Sequence, residues 1–293
     1  MTIDEEVELS RFTTLGTGGP ARAFARPESA AEVEELLRWA REQGLGVATV
    51  GLGSNLLVAD DGVTALVLKL AGELTSVAST GEIMRAGGGA ANAVVLHHAR
   101  NAGLGGFEFA CAIPGTIGGG VWMNGGAYGG DFAGVLERAL VASADGTGWL
   151  TPTELGLSYR HSNLEHGRVV VAAELHLRPR DPAAIKEEVR ELNARRKAAQ
   201  PTNRRTFGSV VKNPGLELTA GRMLEACGLK GHRIGGAQIS PKHANFIENA
   251  GDGRTADAIA LMAEARRRAF EQFGVELRHE VEFLGELELP PVG

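Results

Sequence analysis

Apolar side chains recur at helical spacing in several segments of the chain. The first such helix is predicted after a capping box formed by Ser29 and Glu32, and it ends before Gly44. Its apolar positions are Val33, Leu36, Leu37 and Ala40. Further helices are predicted at 92–100, 182–199 (after the N-cap Asp181), 218–227 and 255–273.

Runs of apolar residues between these helices predict strands. They lie at 47–50, 65–68, 139–142, 169–177, 234–239, 245–247 and 275–284. In the last one, apolar residues from Val275 to Phe283 alternate with charged residues, so that one face of a strand is predicted to be buried and the other solvated. The break at Gln200-Pro201-Thr202-Asn203 is the best candidate for a domain boundary, and a second lobe is expected to start near residue 71.

Composition narrows the class of protein. Glycine makes up 41 of 293 residues, roughly twice the share of ~7% in average proteins, yet 43% hydrophobic residues and only 11 prolines argue against disorder. A net charge of −6 argues against nucleic-acid and anionic-membrane partners. Two cysteines, an acidic N-terminus and the lack of an apolar stretch of ~18 residues predict a cytoplasmic protein.

Common nucleotide and metal motifs are excluded. The segment Gly16 to Ala21 fits a loose dinucleotide fingerprint, but Pro20 and Pro27 leave no room for the helix that must follow it. The chain has no P-loop motif and no HExxH motif, and His97 and His98 are neighbours rather than a helix-borne zinc pair. We therefore expect no metal site.

Two glycine-rich segments are candidates for cofactor binding. Gly51-Leu52-Gly53-Ser54-Asn55 follows an apolar strand and could present backbone amides to an anion, although such a turn between strands is common. Twelve of the 41 glycines lie between Gly103 and Gly134, interleaved with apolar residues such as Ile117 and Trp122. This pattern favours backbone packed against a large cofactor; the alternative is one glycine loop packed on another.

Motifs in these segments and later in the chain resemble those of the UDP-N-acetylenolpyruvoylglucosamine reductase family. The resemblance extends from Thr14 to Gly285. The motifs are Pro114-Gly115-Thr116-Ile117-Gly118-Gly119, Met123-Asn124-Gly125-Gly126-Ala127-Tyr128-Gly129, Ser158-Tyr159-Arg160-His161-Ser162, Gly208-Ser209-Val210-Val211-Lys212-Asn213-Pro214 and Leu277-Arg278-His279-Glu280-Val281. Val211 and Cys111 are small departures from the family pattern. The chain is similar to the shorter subclass, which lacks a tyrosine flap over the substrate.

The resemblance implies an α+β fold with a two-lobed FAD-binding region of the vanillyl-alcohol-oxidase type, followed by a smaller α/β substrate-binding domain. We expect the lobes at 1–70 and 71–180, a helix and linker at 181–205 and the substrate domain at 206–279. The terminal strand at 280–293 is expected to pack on the first lobe.

The resemblance also implies non-covalent FAD, NADPH as co-substrate and a UDP-sugar substrate; it indicates no protein partner. The residues implied for the cofactor are Gly51, Gly53, Ser54, Asn55, Leu56, Pro114, Gly115, Thr116, Gly119, Asn124 and Gly126. Those implied for the substrate are Tyr159, Arg160, Arg205, Lys212, Asn213 and His243.

Three residues match the family's catalytic positions. Arg160 would bind the substrate carboxylate and stabilise an enolate, and Ser209 would donate a proton to the enolate carbon. Glu280 would either assist this protonation or, if itself protonated, stabilise the enolate. His243 either orients Glu280 or is a structural histidine, and most of Arg195–Lys197 is expected to be a solvated helix face.

Two other functions remain open at this point. One is a different FAD-dependent oxidase of the same binding fold. The other is a non-catalytic regulator that binds a flavin or a nucleotide sugar. The simultaneous presence of Arg160, Ser209 and Glu280 favours the reductase, because a protein that only binds would not require all three.

Overall fold

The structure is a computed structural model that describes residues 2–292. Contacts between Cα atoms divide the chain into two compact units. Unit 1 contains the start of the chain up to Glu5, Ala23–Leu52 and Thr64–Arg196. Unit 2 contains Glu6–Arg22, Gly53–Val63 and the chain from Lys197 onward.

Unit 1 contains four helices and a five-stranded antiparallel sheet. The helices are α1 (Ala30–Glu42), α2 (Asn92–Asn101), α3 (Ile117–Trp122) and α4 (Pro182–Ala199), the last of which continues past the end of the unit. The strands, in sheet order, are Gly146–Leu150, Leu136–Ser143, Val169–His176, Ile83–Gly87 and Val77–Thr80. As predicted, Ser29 accepts a hydrogen bond from Glu32 N at the start of α1, at 3.2 Å.

Two hydrophobic clusters form the core of unit 1. In one, α1 residues such as Leu36 pack with Leu66 and Leu68, and Val171 joins them. In the other, the rings of Phe107, Phe109 and Phe132 meet edge to face, with centroids 5.4 to 6.1 Å apart. Separate cores of this kind are what a two-lobed region requires.

Unit 2 contains two helices, α5 (Ala220–Ala226) and α6 (Thr255–Phe273), and a four-stranded antiparallel sheet. Its strands, in sheet order, are Thr206–Ser209, Phe246–Asn249, Ala237–Ile239 and Arg233–Ile234. The strand Glu282–Leu284 pairs in parallel with Leu56–Val58, which lies in the span predicted as the first lobe, although both strands belong to unit 2. The predicted domain boundaries do not follow the division into units and remain predictions.

Short strands and turns complete the structure. The other strands are Val7–Glu8, Pro20–Ala25, Gly46–Thr49, Val63–Leu68, Leu104–Gly105, Gly126–Ala127, Gly130–Asp131 and Arg178–Pro179. The 3₁₀ helices are Leu9–Phe12, Gly72–Thr75 and Glu108–Ala112. Within residues 2–292, no helix is both long enough and apolar enough to cross a membrane.

The predicted strand at 275–284 is wrong over most of its length. Only Glu282–Leu284 forms a strand. The preceding residues bond to different elements instead of one ladder, because Leu277 O accepts from the Arg266 guanidinium and Arg278 O accepts from Lys212 N. The predicted strand at 234–239 is a hairpin that turns at Gly235-Gly236.

Several glycines between Gly103 and Gly134 pack against protein. A Cβ atom at Gly118 would lie 2.9 Å from Gly88 O, at Gly126 2.7 Å from Asp131 Cβ, and at Gly130 2.6 Å from the Phe109 ring. At these positions the structure supports the alternative of close packing within the protein. That the backbone of this segment also packs against a cofactor stays a prediction.

Gly120 tests this packing, because a Cβ atom there would lie 2.1 Å from the Phe132 ring. Gly120→Ala is expected to lower the free energy of unfolding by about 1–3 kcal/mol through overpacking. Gly148→Ala is the matched control, since nothing lies within 4 Å of its Cβ position. Denaturant unfolding of both variants measures the difference, and equal stability would contradict this account of the glycines.

Candidate active site

The two glycine-rich segments predicted to bind the cofactor meet within unit 1. A Cβ atom at Gly51 would lie 2.6 Å from Thr116 Oγ1, so the backbone of one loop lies directly against the other. The Gly51 carbonyl accepts a hydrogen bond from the Lys69 ammonium at 2.7 Å. Burial, together with the charge of Arg26, lowers the pKa of Lys69.

The segment around Gly115 is held by hydrogen bonds from neighbouring backbone and from Asn92. Gly115 O accepts from Asn92 N at 3.0 Å, and the Asn92 amide donates to Ile113 O at 3.0 Å. Gly118 N donates to Gly88 O at 2.8 Å. Asn92, which the sequence analysis did not single out, is 1% exposed.

These loops fit a bound dinucleotide. Within the described residues, Asn92 Oδ1 is buried without a hydrogen-bond partner, which leaves an acceptor beside the loop. At Gly119, which is exposed, only Thr116 Oγ1 at 3.7 Å lies within 4 Å of the Cβ position, so a ligand can approach the backbone closely. Pro114 and Gly119 are exposed and Gly115 is half-buried, whereas Thr116 is buried beneath them, so the backbone at Gly119 is the part of this segment that is open to a ligand.

Arg160 lies in a tight turn of unit 1. Ser158 and His161 exchange two backbone hydrogen bonds of 3.1 Å, which places Tyr159 and Arg160 at the tip. Arg160 has a φ of +53°, and its Nη2 donates to Gly126 O at 2.6 Å. Its guanidinium carbon lies 5.0 Å from the centre of the Tyr159 ring, which is more than half exposed.

Left-handed backbone is concentrated around this turn. Four non-glycine residues among residues 2–292 have a positive φ, and three of them are Asn124, Tyr128 and Arg160. Such conformations cost energy and persist only where the surroundings enforce them, which is common at functional sites. Gly126–Ala127 and Gly130–Asp131 pair as a hairpin with Tyr128 and Gly129 at its tip.

The end of α4 is not a plain solvated face. The Arg195 guanidinium carbon lies 4.7 Å from the centre of the Tyr128 ring. Arg196 is half-buried, and burial lowers the pKa of its guanidinium. The expectation that most of Arg195–Lys197 is solvated agrees with the exposure of Arg195 and Lys197, and Arg196 is the exception.

Contacts within unit 2 fix the conformation of the first glycine loop at Gly53. Gly53 has a φ of +62°, and a Cβ atom there would lie 2.0 Å from Phe12 O. Gly53 O accepts hydrogen bonds from both the backbone N and the Oγ1 of Thr14. Only glycine fits this position without moving the backbone.

Unit 2 also brings the segments of Ser54, Ser209 and Glu280 together. Gly208, which precedes Ser209, has a φ of +85°, and its Cβ position lies 3.2 Å from Ser54 O. Glu280 N donates to Val210 O at 3.0 Å, and the side chain of Asn55 donates to Glu280 O at 3.3 Å. Ser209 and Glu280 are both half-buried.

A buried asparagine outside the predicted site residues fixes the segment after Ser209. Asn245 is 5% exposed; its Oδ1 accepts from Val211 N at 3.0 Å and its Nδ2 donates to Val211 O at 2.8 Å. From the sequence, residue 245 is placed only at the start of the predicted strand at 245–247. Its signal is a polar residue inside an apolar run, which does not by itself identify a partner.

The predicted substrate residues of unit 2 have different surroundings. Lys212 is half-buried and its backbone N donates to Arg278 O. Asn213 is exposed, and its Oδ1 accepts from Ala220 N at the start of α5. Arg205 is exposed and extends over Gly16, with Nη1 3.4 Å from the Cβ position there.

His243 has the contacts of a structural histidine. Its ring lies edge-on to Phe246 with centroids 5.0 Å apart, and its Cε1 lies 2.7 Å from the Cβ position of Gly221. Asn245 N donates to His243 Nδ1 at 3.2 Å. Burial, followed by the charge of Lys230, lowers the pKa of His243.

The lowered pKa of His243 predicts a pH effect on stability. In the unfolded chain the imidazole titrates near ~6.5, so the unfolded state binds protons more readily than the folded state as the pH falls below that value. We expect the wild type to lose thermal stability between about pH 7.5 and about pH 5.5, and His243→Gln to lose less over the same interval.

The control for this measurement is His98→Gln, which changes an exposed histidine on α2 and should follow the wild type. Equal pH dependence of His243→Gln and the wild type would contradict the desolvation of His243.

The candidate catalytic residues belong to both units: Arg160 lies in unit 1, and Ser209 and Glu280 lie in unit 2. Within residues 2–292, His, Cys, Asp and Glu side chains form no group of three or more that could hold a metal ion.

Comparisons with known proteins identify the family. A model described as "UDP-N-acetylenolpyruvoylglucosamine reductase, C-terminal domain" matches residues 200–284, and one described as "FAD binding domain" matches 21–149. UDP-N-acetylenolpyruvoylglucosamine reductase 2 of Symbiobacterium thermophilum is 45% identical over 279 residues, covering 94% of this chain and 90% of that protein. The reductase of Anaeromyxobacter dehalogenans is 42% identical, covering 98% and 86%.

A solved structure agrees with these relatives. The crystal structure of UDP-N-acetylenolpyruvylglucosamine reductase from Thermus caldophilus has a TM-score of 0.85 and 37% identity, and the match covers 97% of this chain and 99% of that one. The agreement extends over both units, which confirms the predicted fold class. The chain belongs to the UDP-N-acetylenolpyruvoylglucosamine reductase family.

Proposed function

We propose that the protein reduces the enolpyruvyl ether of UDP-N-acetylenolpyruvoylglucosamine to UDP-N-acetylmuramate, with NADPH as the reductant and FAD as the cofactor. The product is a precursor of bacterial peptidoglycan. The observation that carries the proposal is the clustering, in unit 2, of the segments of Ser54, Ser209 and Glu280 in a chain that matches named reductases over nearly its whole length. A cytoplasmic location goes with it, in keeping with the free thiols of Cys111 and Cys227.

The residues that would hold FAD are those of the two glycine loops, from Gly51 to Leu56 and from Pro114 to Gly119. A bound FAD would supply hydride transfer from NADPH to the terminal vinyl carbon of the substrate. The loops would present backbone groups and short polar side chains to the cofactor. The close approach of Gly51 to Thr116, and of Gly53 to Phe12, holds each loop in one conformation before the cofactor binds.

Arg160 would bind the substrate carboxylate. Hydride arrival at the terminal carbon moves an electron pair toward the adjacent carbon and its carboxylate, and an enolate with a second negative charge results. A guanidinium stays charged throughout and can donate two parallel hydrogen bonds to a carboxylate. Within unit 1, the hydrogen bond from Arg160 Nη2 to Gly126 O fixes one edge of the planar guanidinium group.

Ser209 would complete the reaction by donating its hydroxyl proton to the enolate carbon, which forms the new C–H bond. A serine hydroxyl is a weak acid, but the acceptor is a strongly basic carbon. The segment of Ser209 is fixed by the bonds of Val210 to Asn245 O and of Glu280 N to Val210 O. Glu280 would either restore the proton to Ser209 or, when protonated, stabilise the enolate.

The UDP part of the substrate would be bound by Tyr159, Arg205, Lys212 and Asn213. Lys212 is supported by its position directly after the Ser209 segment, and Tyr159 by its exposed ring beside Arg160. His243 is better supported as a structural residue, because its ring is packed between Gly221 and Phe246.

The experiment is a steady-state assay of the purified protein. NADPH oxidation is followed with and without the enolpyruvyl substrate, in air and without oxygen, and the product is identified by mass spectrometry. The proposal predicts that oxidation depends on the substrate and yields one equivalent of a product with two added hydrogens. Oxygen consumption without substrate reduction would indicate an oxidase, and a bound flavin without turnover would indicate a binding protein.

A further inference from the structure

The side chain of Asn124 is hydrogen-bonded to other residues of unit 1. The residue is 2% exposed and has a left-handed φ of +39°. Its Nδ2 donates to Ser158 O at 2.9 Å and to Asp131 Oδ2 at 3.4 Å, and its Oδ1 accepts from Ala133 N at 2.8 Å. A primary amide has two donor hydrogens, so both are used by protein atoms.

The stronger of these bonds fixes the backbone of the Arg160 turn. Ser158 is the first residue of the four-residue turn, and its N and O both bond to His161. Arg160, with its φ of +53°, is the third residue of that turn. The bond from Asn124 to Ser158 O therefore holds the strained turn at the point where the chain enters it.

The guanidinium of Arg160 is tied to the same segment. Its Nη2 donates to Gly126 O, and Gly126 follows Asn124 by two residues. Gly126 pairs with Asp131 across the hairpin, and Asp131 in turn accepts a hydrogen bond from Asn124. The backbone and the side chain of Arg160 are thus both anchored to segment 124–131, and one buried amide links the two anchors.

We propose that Asn124 is a positioning residue for Arg160, rather than a direct ligand of the cofactor. The inference rests on the proposed function, in which Arg160 binds the substrate carboxylate. Without the amide, the turn loses the bond that holds Ser158 O. A displacement on the order of 1 Å of a group that stabilises a transition state lowers the rate by roughly 10²-fold.

The experiment uses full-length protein with bound FAD and the variants Asn124→Ala and Asn124→Gly. The glycine variant accepts the left-handed backbone without strain and removes only the amide. Both variants are expected to retain FAD and to be reduced by NADPH at the wild-type rate. Their kcat/KM for the enolpyruvyl substrate is expected to fall by about 10²-fold.

A double-mutant cycle with Arg160→Ala separates positioning from a general structural role. If Asn124 acts through Arg160, the loss caused by Asn124→Gly disappears in the Arg160→Ala background. Ser162→Ala is the control: it removes another buried hydrogen bond of the same segment, from Ser162 Oγ to Trp122 O, and its effect should be independent of Arg160.

Three results would overturn the inference. They are loss of FAD from Asn124→Gly, failure of that variant to fold, and an equal loss of kcat/KM with and without Arg160. Absence of substrate reduction by the wild type is a different result, because it would remove the proposed function itself. If the wild type reduces the substrate but the effects of Asn124→Gly and Arg160→Ala on kcat/KM are additive, only the role of Asn124 is removed.

Discussion

Ser209→Ala is expected to slow the substrate-dependent reoxidation of the bound flavin by ~10²–10⁴, while NADPH still bleaches the flavin at the wild-type rate. Alanine has no proton to donate to the enolate carbon, but Ser209 takes no part in hydride transfer from NADPH. Stopped-flow absorbance measures the two half-reactions separately. The variant should thus be impaired in one of them only.

Two further variants sharpen this prediction. Ser209→Cys keeps a more acidic proton at the same position and is expected to lose less activity than Ser209→Ala. Ser79→Ala changes an exposed serine on the strand Val77–Thr80 and should behave as the wild type. Normal reoxidation by Ser209→Ala would rule out this serine as the proton donor.

Arg160→Lys is expected to lower kcat/KM for the enolpyruvyl substrate by about 10²–10³, with FAD retained. A lysine ammonium keeps the charge but cannot donate two parallel hydrogen bonds to a carboxylate. It also cannot reproduce the planar fork that donates to Gly126 O on one side. Steady-state kinetics with varied substrate concentration measures the loss.

The control for charge and size is Arg178→Lys, at an exposed position on the strand Arg178–Pro179. This variant should leave kcat/KM unchanged. If Arg160→Lys were equally active, the guanidinium geometry would have no role in binding or stabilising the enolate.

The sequence predicted the long helices well because their signals are local. The structure confirms α6 at the predicted residues, Thr255 to Phe273, with Gly274 at a φ of +68° ending the helix. The strand predicted at 275–284 failed because an alternating pattern reports which side chains are buried, not which backbone groups bond. Leu277 and Val281 are indeed buried, yet Leu277 O accepts a hydrogen bond from the Arg266 side chain and Val281 O accepts one from the ring of His279.

The sequence motifs are enough to propose Arg160, Ser209 and Glu280 as site residues, and their roles stay predictions. The candidate site was not predictable where a buried amide acts through distant backbone. Asn124 bonds to Ser158, 34 positions away, and Asn245 bonds to Val211 at the same separation. Nothing in the local sequence indicates such partners, because they depend on how the chain folds back on itself.

The glycine-rich segment contains glycines of two kinds: some leave the backbone open to a ligand, and others make room for a protein side chain. Gly119 leaves its backbone open, as expected of a surface that binds a cofactor, but Gly120 beside it makes room for the Phe132 ring. A glycine count cannot separate these two uses, since both require a missing side chain. The space in front of each Cα atom distinguishes them.

The most direct test of the central claim is an anaerobic single-turnover measurement on the wild-type protein. One equivalent of NADPH is added to bleach the bound flavin, and the enolpyruvyl substrate is then added without oxygen. The account predicts that the yellow colour returns and that one equivalent of UDP-N-acetylmuramate forms. Recovery of the colour only after oxygen is admitted would contradict it.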